Sequence, residues 1–192
     1  MTHHKLKKDL RELQDLLTRF EGALNEIHES GRLIAKSLQA GNKVLAFGNG
    51  GSATDAMHLC EELVGRYKKD RKALAAICLN SDVGGMTCIG NDYGYDYLFS
   101  RQLEALGNIG DVVVGFSTSG NSNNIYKAFK IAKELEITTV LVGGKDGGIC
   151  GEIADYKIIV PSQSTARIQE VHTFILHAWL EIVESELFGT EA

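Results

Sequence analysis

No run of apolar residues in this 192-residue sequence approaches the roughly 18 needed to cross a bilayer. The basic start, MTHHK, is followed by a charged amphipathic segment and not by the apolar core of a signal peptide. Positive charge is not in excess, since 20 lysines and arginines against 25 aspartates and glutamates give a net charge of −5. A nucleic-acid or anionic-membrane surface would need a basic face. These absences predict a soluble protein, although a local loop of an acidic chain can still bind phosphate.

Close cysteine pairs are also absent. The four cysteines show no Cys-x-x-Cys spacing, which without a secretory signal predicts reduced thiols in a cytoplasmic protein. The sequence has no internal repeat, low-complexity stretch or linker. A length of 192 residues, 44% of them apolar, therefore predicts one domain over residues 1–192. Within it we expect a helical segment over 1–40 and an α/β core over 41–192.

The segment 1–40 carries a narrow apolar seam. Its spacing alternates between four and three residues, which is typical of the a and d positions of a heptad on one long helix. Such a seam packs either against helices of other subunits or against the chain's own sheet, and the pattern leaves both open. Gly31 interrupts the seam and predicts a kink or break there. The seam consists of Leu6, Leu10, Leu13, Leu17, Phe20, Leu24, Ile27, Ile34 and Leu38.

After residue 41, short continuous apolar runs alternate with helical stretches. This pattern predicts an α/β fold, a five-stranded parallel sheet with helices on both faces, and leaves the strand order open. The predicted strands are 43–48, 73–79, 111–116, 138–142 and 156–160, and the predicted helices are 52–64, 96–106, 122–136 and 164–187.

Ligands in such sheets bind beyond the carboxyl ends of the strands, where two loops stand out. The first, GNGGS at 48–52, lets the backbone turn tightly, and Ser52 can cap the following helix. It also fits the dinucleotide-binding fingerprint. The acidic residue expected about 20 positions later would fall in a basic stretch whose only acid is Asp70, so we predict no nucleotide cofactor.

The second loop, STSGNS at 117–122, combines four hydroxyls and a glycine with the positive end of a helix. Because capping a helix needs only one hydroxyl, this density predicts a phosphate site. A third glycine-bounded segment, GNDYG at 90–94, is typical of a simple turn when taken alone.

Two helices carry groups that could perform acid–base chemistry or bind a metal. His58 and Glu62 stand four residues apart and therefore project from one helix face. On the last helix, Gln169 can share a site with either His172 or His177, which lie on opposite sides of it at about 100° per residue. The residues alone do not choose between the two histidines.

Seven short motifs follow one another along the chain: GNGGS at 48–52, AMH at 56–58, EEL at 61–63, GND at 90–92, STSGNS at 117–122, GKDGG at 144–148 and RIQEVH at 167–172. In this order they resemble the motifs of the phosphoheptose isomerases, a family within the sugar-isomerase (SIS) domain superfamily. The serine loop marks the superfamily, whereas the Glu62 and His177 positions mark the narrower family. The resemblance covers nearly the whole chain. One departure is Ala166, where some relatives carry an acidic residue, so any role of that acid is not expected here.

The resemblance implies a homotetramer built on a central helical bundle, with active sites at subunit boundaries. It implies that Glu62 and His177 form the catalytic acid/base pair, and that zinc binds to His58, Glu62, Gln169 and His177. Phosphate is expected at Ser117, Thr118, Ser119 and Ser122, and the rest of the substrate at Asn49, Gly50, Gly51, Glu62, Asn91, Asp92 and Gln169.

The implied reaction is the isomerisation of sedoheptulose 7-phosphate to D-glycero-D-manno-heptose 7-phosphate through an enediol, the first step towards activated heptose precursors. Two alternatives remain open at this stage. One is a non-catalytic SIS-domain binding protein of the replication-initiator-associating type, which lacks counterparts of Glu62 and His177. The other is an isomerase of a different sugar phosphate, because the loops indicate phosphate and hydroxyl recognition more directly than sugar length.

Overall fold

The computed structural model describes residues 3–189; residues 1–2 and 190–192 of the predicted domain lie outside the described residues. The N-terminal segment forms helix α1 (His3–Phe20), a 3₁₀ turn (Glu21–Ala23) and helix α2 (Leu24–Gln39). The long helix is therefore interrupted ten residues before Gly31, and the chain does not break at Gly31, which lies inside one continuous helix.

Gly31 has a packing role instead. It lies inside α2, where an added Cβ would stand 2.8 Å from Cδ1 of Ile182 and 3.0 Å from Cδ1 of Trp179. The glycine thus lets α2 pack closely on the C-terminal helix. The Trp179 indole N–H reaches across the same contact and donates to the Ile27 carbonyl, 3.1 Å away.

The core is one five-stranded sheet in the order β2-β1-β3-β4-β5, with every pair parallel, as the continuous apolar runs predicted. Strands β1 and β3 are buried along their whole length, because helices cover both faces. The strands are β1 (Val44–Gly48), β2 (Ala76–Cys78), β3 (Val112–Ser117), β4 (Thr138–Gly144) and β5 (Tyr156–Val160). The core helices are α3 (Gly51–Val64), α4 (Val83–Asp92), α5 (Ser100–Leu106), α6 (Asn123–Glu134), α7 (Gly148–Ile153) and α8 (Thr165–Phe188).

Two differences from the predicted elements have a common cause. Helix α4 and the short helix α7 were not predicted, because glycines and β-branched residues lower the helical propensity of both segments. Helix α4 begins at Asp82, whose carboxylate accepts a hydrogen bond from the Gly85 amide at 2.9 Å. The interpretation of residues 90–94 as a simple turn is therefore wrong, because residues 90–92 form the last turn of α4 and the chain turns only at Tyr93 and Gly94.

The helices divide between the two faces of the sheet. One hydrophobic core contains apolar residues of α1, α2, α3 and α8, and the other contains those of α5, α6 and α7. The chain leaves β1 for α3 on one face and leaves the neighbouring strand β3 for α6 on the opposite face. This reversal is the topological switch point at which open α/β sheets bind ligands.

The apolar seam of the N-terminal segment is divided between core and surface. Phe20, Ile27 and Ile34 are at most 3% exposed, whereas Leu6, Leu10, Leu17 and Leu24 are 40–58% exposed in the single chain. Part of the seam therefore packs on the chain's own core, whereas the four exposed leucines, the last of them between Phe20 and Ile27, present apolar side chains at the surface.

None of the helices within residues 3–189 combines the length and apolar character that spanning a membrane would require.

Candidate active site

The glycine loop between β1 and α3 lies at the switch point. Gly50 adopts a positive φ of 57° and caps α3, whereas Ser52 lies inside the helix, so the predicted capping role of Ser52 is wrong. The Gln169 amide of α8 packs directly on Gly51, where any Cβ would collide with it. The loop is thus held between the start of α3 and the Gln169 side chain near the start of α8.

Asparagines hold this loop from both neighbouring strands. On the β2 side, Asn80 accepts from the Gly48 amide at 3.1 Å and donates to its carbonyl at 2.9 Å. On the β3 side, Asn49 and Asn124 form a reciprocal side-chain amide pair with N···O distances of 3.0 and 2.9 Å. The Tyr95 hydroxyl donates to the same Asn49 oxygen at 2.9 Å.

The serine loop leaves β3 beside the glycine loop. Ser117 Oγ accepts from the Gly120 amide at 3.0 Å and lies 3.4 Å from Ser122 Oγ. Ser122 occupies the N-cap position of α6, but its hydroxyl does not bond to that helix's amides. Thr118, Ser119 and Ser122 remain partly exposed. These hydroxyls lie at the positive end of the 12-residue helix α6 and do not cap it. They are therefore suited to binding an anion.

The serine loop interlocks with the GKDGG segment at 144–148. Gly120 has a φ of 66°, and a Cβ there would collide with the Gly147 carbonyl. The Gly120 carbonyl accepts from the Cys150 amide at 2.9 Å, and Asn121 Oδ1 accepts from the Ile149 amide at 3.2 Å. The GKDGG segment therefore supports the serine loop from behind.

Further along α3, a cluster of titratable groups faces α8. His58 Nε2 lies 3.5 Å from Glu62 Oε1 and 3.4 Å from His177 Nε2. Two donors bound to one tetrahedral zinc ion at 2.0–2.2 Å stand about 3.3–3.6 Å apart. Both separations match this edge length, and imidazole nitrogen with carboxylate oxygen is a zinc-binding donor set, so His58 can share a metal ion with Glu62 or with His177. Among the described residues, the ligand atoms of His58, Glu61 and Glu62 all lie within 4.8 Å of one another, and Glu61 is the exposed member of that group.

His177 is partly buried against α3 and the loop that follows it. Burial lowers the pKa of His177, and the neighbouring His58 lowers it further, while Glu62 opposes both effects. A lowered pKa favours the neutral imidazole at pH 7, the form that accepts a proton or binds a metal. The Tyr67 ring stacks on the imidazole, with centroids 5.6 Å apart and 23° between planes.

A buried ion pair fixes the loop that carries Tyr67. Glu184 Oε1 accepts from Arg71 Nε at 2.8 Å, and both side chains are at most 5% exposed. The same carboxylate accepts from the backbone amides of Tyr67, Lys68 and Lys69 at 3.2–3.3 Å. Arg71 also donates to the Glu62 carbonyl at 2.8 Å. The pair therefore ties α8 to the end of α3 and holds Tyr67 against His177.

The other histidine of α8 points into the core. His172 is fully buried, and its Nε2 bonds to the Gly143 carbonyl of β4 at 3.1 Å. Burial lowers its pKa to about 4. Its Nδ1 lies 3.9 Å from Asp55 Oδ2 on α3, whose pKa burial raises to about 6. The choice that the residues alone left open is thus made by packing: His177 joins His58 and Glu62, and His172 does not.

Among the described residues, Asn91 and Asp92 make no hydrogen bond to the glycine loop, the serine loop or the cluster of His58, Glu62 and His177. They occupy the exposed end of α4 and bond to each other at 2.7 Å. Their link to the glycine loop runs through the following 3₁₀ turn, Tyr95–Tyr97, whose first residue bonds to Asn49.

The chain matches known proteins over most of its length. A family model described as the SIS domain matches residues 10–144. The phosphoheptose isomerase of Campylobacter jejuni (serotype O:6, strain 81116) is 47% identical over 179 residues, covering 93% of this chain and 96% of the relative. Two solved phosphoheptose isomerases have the same fold. The structure of GmhA from Neisseria gonorrhoeae has a TM-score of 0.90 and 38% sequence identity, and the match covers 95% of this chain and 98% of that chain. The structure from Francisella tularensis has a TM-score of 0.93 and 32% identity, and the match covers 96% of this chain and 100% of that chain.

The chain belongs to the phosphoheptose isomerase family.

Membership of the phosphoheptose isomerase family confirms the resemblance drawn from the motifs and makes the chain an isomerase. Sequence reasoning missed Asn124, Tyr95 and Tyr67, which contact Asn49 or His177 without belonging to a motif. For Asn124 a signal existed, because it follows the serine loop by two residues at a helix start. For the tyrosines there was none, since their partners are distant in sequence.

Proposed function

We propose that this member of the phosphoheptose isomerase family converts sedoheptulose 7-phosphate to D-glycero-D-manno-heptose 7-phosphate in the cytoplasm, as the first step towards activated heptose precursors. The observation that carries the proposal is the cluster formed by His58 and Glu62, on the helix that begins at the glycine loop, and His177 of α8. A carboxylate and an imidazole side by side can move a proton on carbon and a proton on oxygen in the same reaction. The names of the relatives supply the substrate.

In the mechanism, the serine loop binds the phosphate through Ser117, Thr118, Ser119 and Ser122. Residues 49–51 bind the sugar, together with Asn91, Asp92 and Gln169. Glu62 removes the C1 proton of the open-chain ketose and returns it to C2 of the enediol. His177 transfers the proton between O1 and O2. Each transfer by a positioned group contributes roughly 10²–10⁴ in rate.

His58, Glu62 and His177, with Gln169 as the proposed fourth ligand, would hold zinc. When bound, zinc would polarise the substrate carbonyl as a Lewis acid. As a ligand, Glu62 would be a weaker base, so metal binding and proton abstraction compete for the same carboxylate.

Isomerisation in D₂O tests the proposal. We expect metal-free or zinc-loaded protein to convert sedoheptulose 7-phosphate into an aldose heptose phosphate that carries solvent deuterium at C2, as followed by NMR. Solvent exchange at the carbon is the signature of an enediol, whereas a hydride shift would leave the product unlabelled. The difference in rate between the two samples shows whether zinc promotes turnover. The absence of product and of C1 exchange in both samples would refute the proposed activity.

The interlocked glycine tests the phosphate site separately. We expect Gly120→Ala to weaken binding of inorganic phosphate at least about tenfold, because the collision with Gly147 must displace loop groups whose hydrogen bonds to a charged ligand are each worth about 1.5–3 kcal/mol. Titration calorimetry measures the affinity. Gly41→Ala is the matched control, since Gly41 has a φ of 86° and open space around it. Equal phosphate affinity in both variants would contradict the assignment of the serine loop.

We also propose that residues 1–40 form an oligomerisation segment of a homotetramer. Four leucines of α1 and α2 that are 40–58% exposed support this, because a narrow exposed seam at heptad spacing suits helix–helix packing between subunits. A molar mass of four chains in light scattering is expected, and a stable monomer would exclude the assembly.

The non-catalytic SIS-domain binding protein that the motifs left open disagrees with family membership, which makes the chain an isomerase. The other alternative is tested by the same measurements. An isomerase of another sugar phosphate would show C2 deuterium incorporation with a different member of a substrate panel.

A further inference from the structure

We propose that Asn124 and Tyr95 are positioning residues that orient the Asn49 side-chain amide, so that Asn49 presents one N–H to an oxygen of the sugar. This inference rests on the proposed function, because it deepens the role of the sugar-binding loop. Neither residue belongs to the serine loop or to the His58–Glu62–His177 cluster.

The amide pair formed by the Asn49 and Asn124 side chains is closed in both directions. Asn49 Nδ2 donates to Asn124 Oδ1 at 3.0 Å, and Asn124 Nδ2 donates to Asn49 Oδ1 at 2.9 Å. Asn124 is 2% exposed, so water does not compete for these bonds. Two good hydrogen bonds between planar groups fix the plane of the Asn49 amide as well as its position.

The orientation of the pair is set by the backbone. Asn124 Oδ1 also lies 3.0 Å from the Ile125 amide, which can only donate, so this atom must be the oxygen. Since Asn124 then directs its Nδ2 at Asn49, the facing atom of Asn49 must be Oδ1. The Tyr95 hydroxyl, 2.9 Å away, donates to the same oxygen.

Counting donors and acceptors shows what remains for a ligand. Both lone-pair sites of Asn49 Oδ1 are occupied, by Asn124 and Tyr95, and one of the two Nδ2 protons is used by Asn124. Among the contacts of residues 3–189, one N–H of Asn49 is left, on a partly exposed side chain of the glycine loop. The structure therefore assigns Asn49 a single role, that of a hydrogen-bond donor to a substrate oxygen.

The amide pair also links the two loops that would hold opposite parts of the substrate. Asn49 belongs to the glycine loop after β1, and Asn124 lies in the first turn of α6, two residues beyond Ser122. On its other side, the glycine loop is held by Asn80 through both polar atoms of the Gly48 backbone. The spacing between the sugar donor and the phosphate hydroxyls is thus maintained by this side-chain pair together with the parallel pairing of β1 and β3, whose ends carry the two loops.

The test uses Tyr95→Phe. This variant removes only the hydroxyl that bonds to Asn49, and because Tyr95 is 61% exposed, the change leaves the core intact. We expect kcat/KM for sedoheptulose 7-phosphate to fall about 2–10-fold, the value of one hydrogen bond. The matched control is Tyr93→Phe, a 52% exposed tyrosine two residues away whose hydroxyl has no hydrogen bond within residues 3–189. The control is expected to match the wild type.

Two further readouts separate positioning from general support of the fold. Inhibition by inorganic phosphate reports the serine loop alone, so the inhibition constant should stay within about twofold in Tyr95→Phe while kcat/KM falls. In an Asn49→Ala background, adding Tyr95→Phe should cause no further loss, because a residue that acts through Asn49 has nothing left to orient. Asn124→Ala should lower kcat/KM about tenfold or more, since both bonds of the pair are lost.

An unchanged kcat/KM in Tyr95→Phe, equal losses in Tyr95→Phe and Tyr93→Phe, or full additivity with Asn49→Ala would each overturn the inference. Failure of the proposed function is distinguishable, because it appears in the wild type as no turnover of sedoheptulose 7-phosphate. In that event, the same variants are compared by calorimetric affinity for whichever sugar phosphate of the panel binds the wild type, with the same expected ratios.

Discussion

Replacing Glu62 by glutamine is expected to lower kcat about 10³-fold, within the 10²–10⁴ range of a positioned proton-transfer group. Glutamine is nearly isosteric and can keep a hydrogen bond to His58, but its amide cannot accept a proton from carbon. The rate of C1 deuterium exchange in D₂O measures the lost step directly. Glu61→Gln is the matched control, because it removes the neighbouring, exposed carboxylate of the same helix.

The pair of variants distinguishes the proposed roles on α3. Glu61→Gln should retain turnover within about threefold, since Glu61 is the exposed carboxylate and is not assigned the proton transfer. Both variants should keep the wild-type circular dichroism spectrum and molar mass. Retained turnover in a folded Glu62→Gln protein would show that neither base catalysis nor metal binding by Glu62 is needed.

The second large effect concerns stability. Glu184→Ala is expected to lower the free energy of unfolding by about 3–5 kcal/mol, because it leaves the Arg71 guanidinium, 1% exposed, without its buried partner. Urea unfolding measures the change in unfolding free energy. Wild type and variant are compared at equal protomer concentration, because oligomerisation makes the apparent stability depend on concentration. Turnover should fall as well, since the Glu184 carboxylate holds the loop that places Tyr67 on His177.

A matched control lies on the same helix. Glu181 pairs with Lys68, but both side chains are more than half exposed, so Glu181→Ala should change stability little. Equal losses of unfolding free energy in the two variants would show that burial of the Arg71–Glu184 pair is not what stabilises this loop.

Much of the fold was predictable because its sequence patterns are local. Runs such as Val44–Gly48 and Val112–Ser117 are apolar without alternation, which happens in strands covered on both faces, and all five predicted strands are present. The glycine and serine loops were predicted at one edge of the sheet for a topological reason: carboxyl ends of parallel strands meet there.

Helix α4 was not predictable on the same basis. Its sequence, VGGMTCIGND, has little helical propensity, and the Asp82 cap with tertiary contacts to the 3₁₀ turn at Tyr95–Tyr97 outweighs that deficit. Gly31 was misjudged for the converse reason. A glycine in a helix lowers local stability, but here the absence of a side chain permits the close approach of α8.

The sequence by itself determined the α/β class, the parallel strands and the two loops, and it supplied the candidate site residues, because each depends on periodicity or on a short motif. Tertiary structure alone decided which of those residues meet. His172 and His177 have equivalent positions relative to Gln169 on a helical wheel, and only the packing of α3 and β4 against α8 directs His172 to the Gly143 carbonyl and His177 to His58. The same holds for Tyr95 and Glu184, since their partners are 46 to 117 residues away in sequence and no local pattern records them.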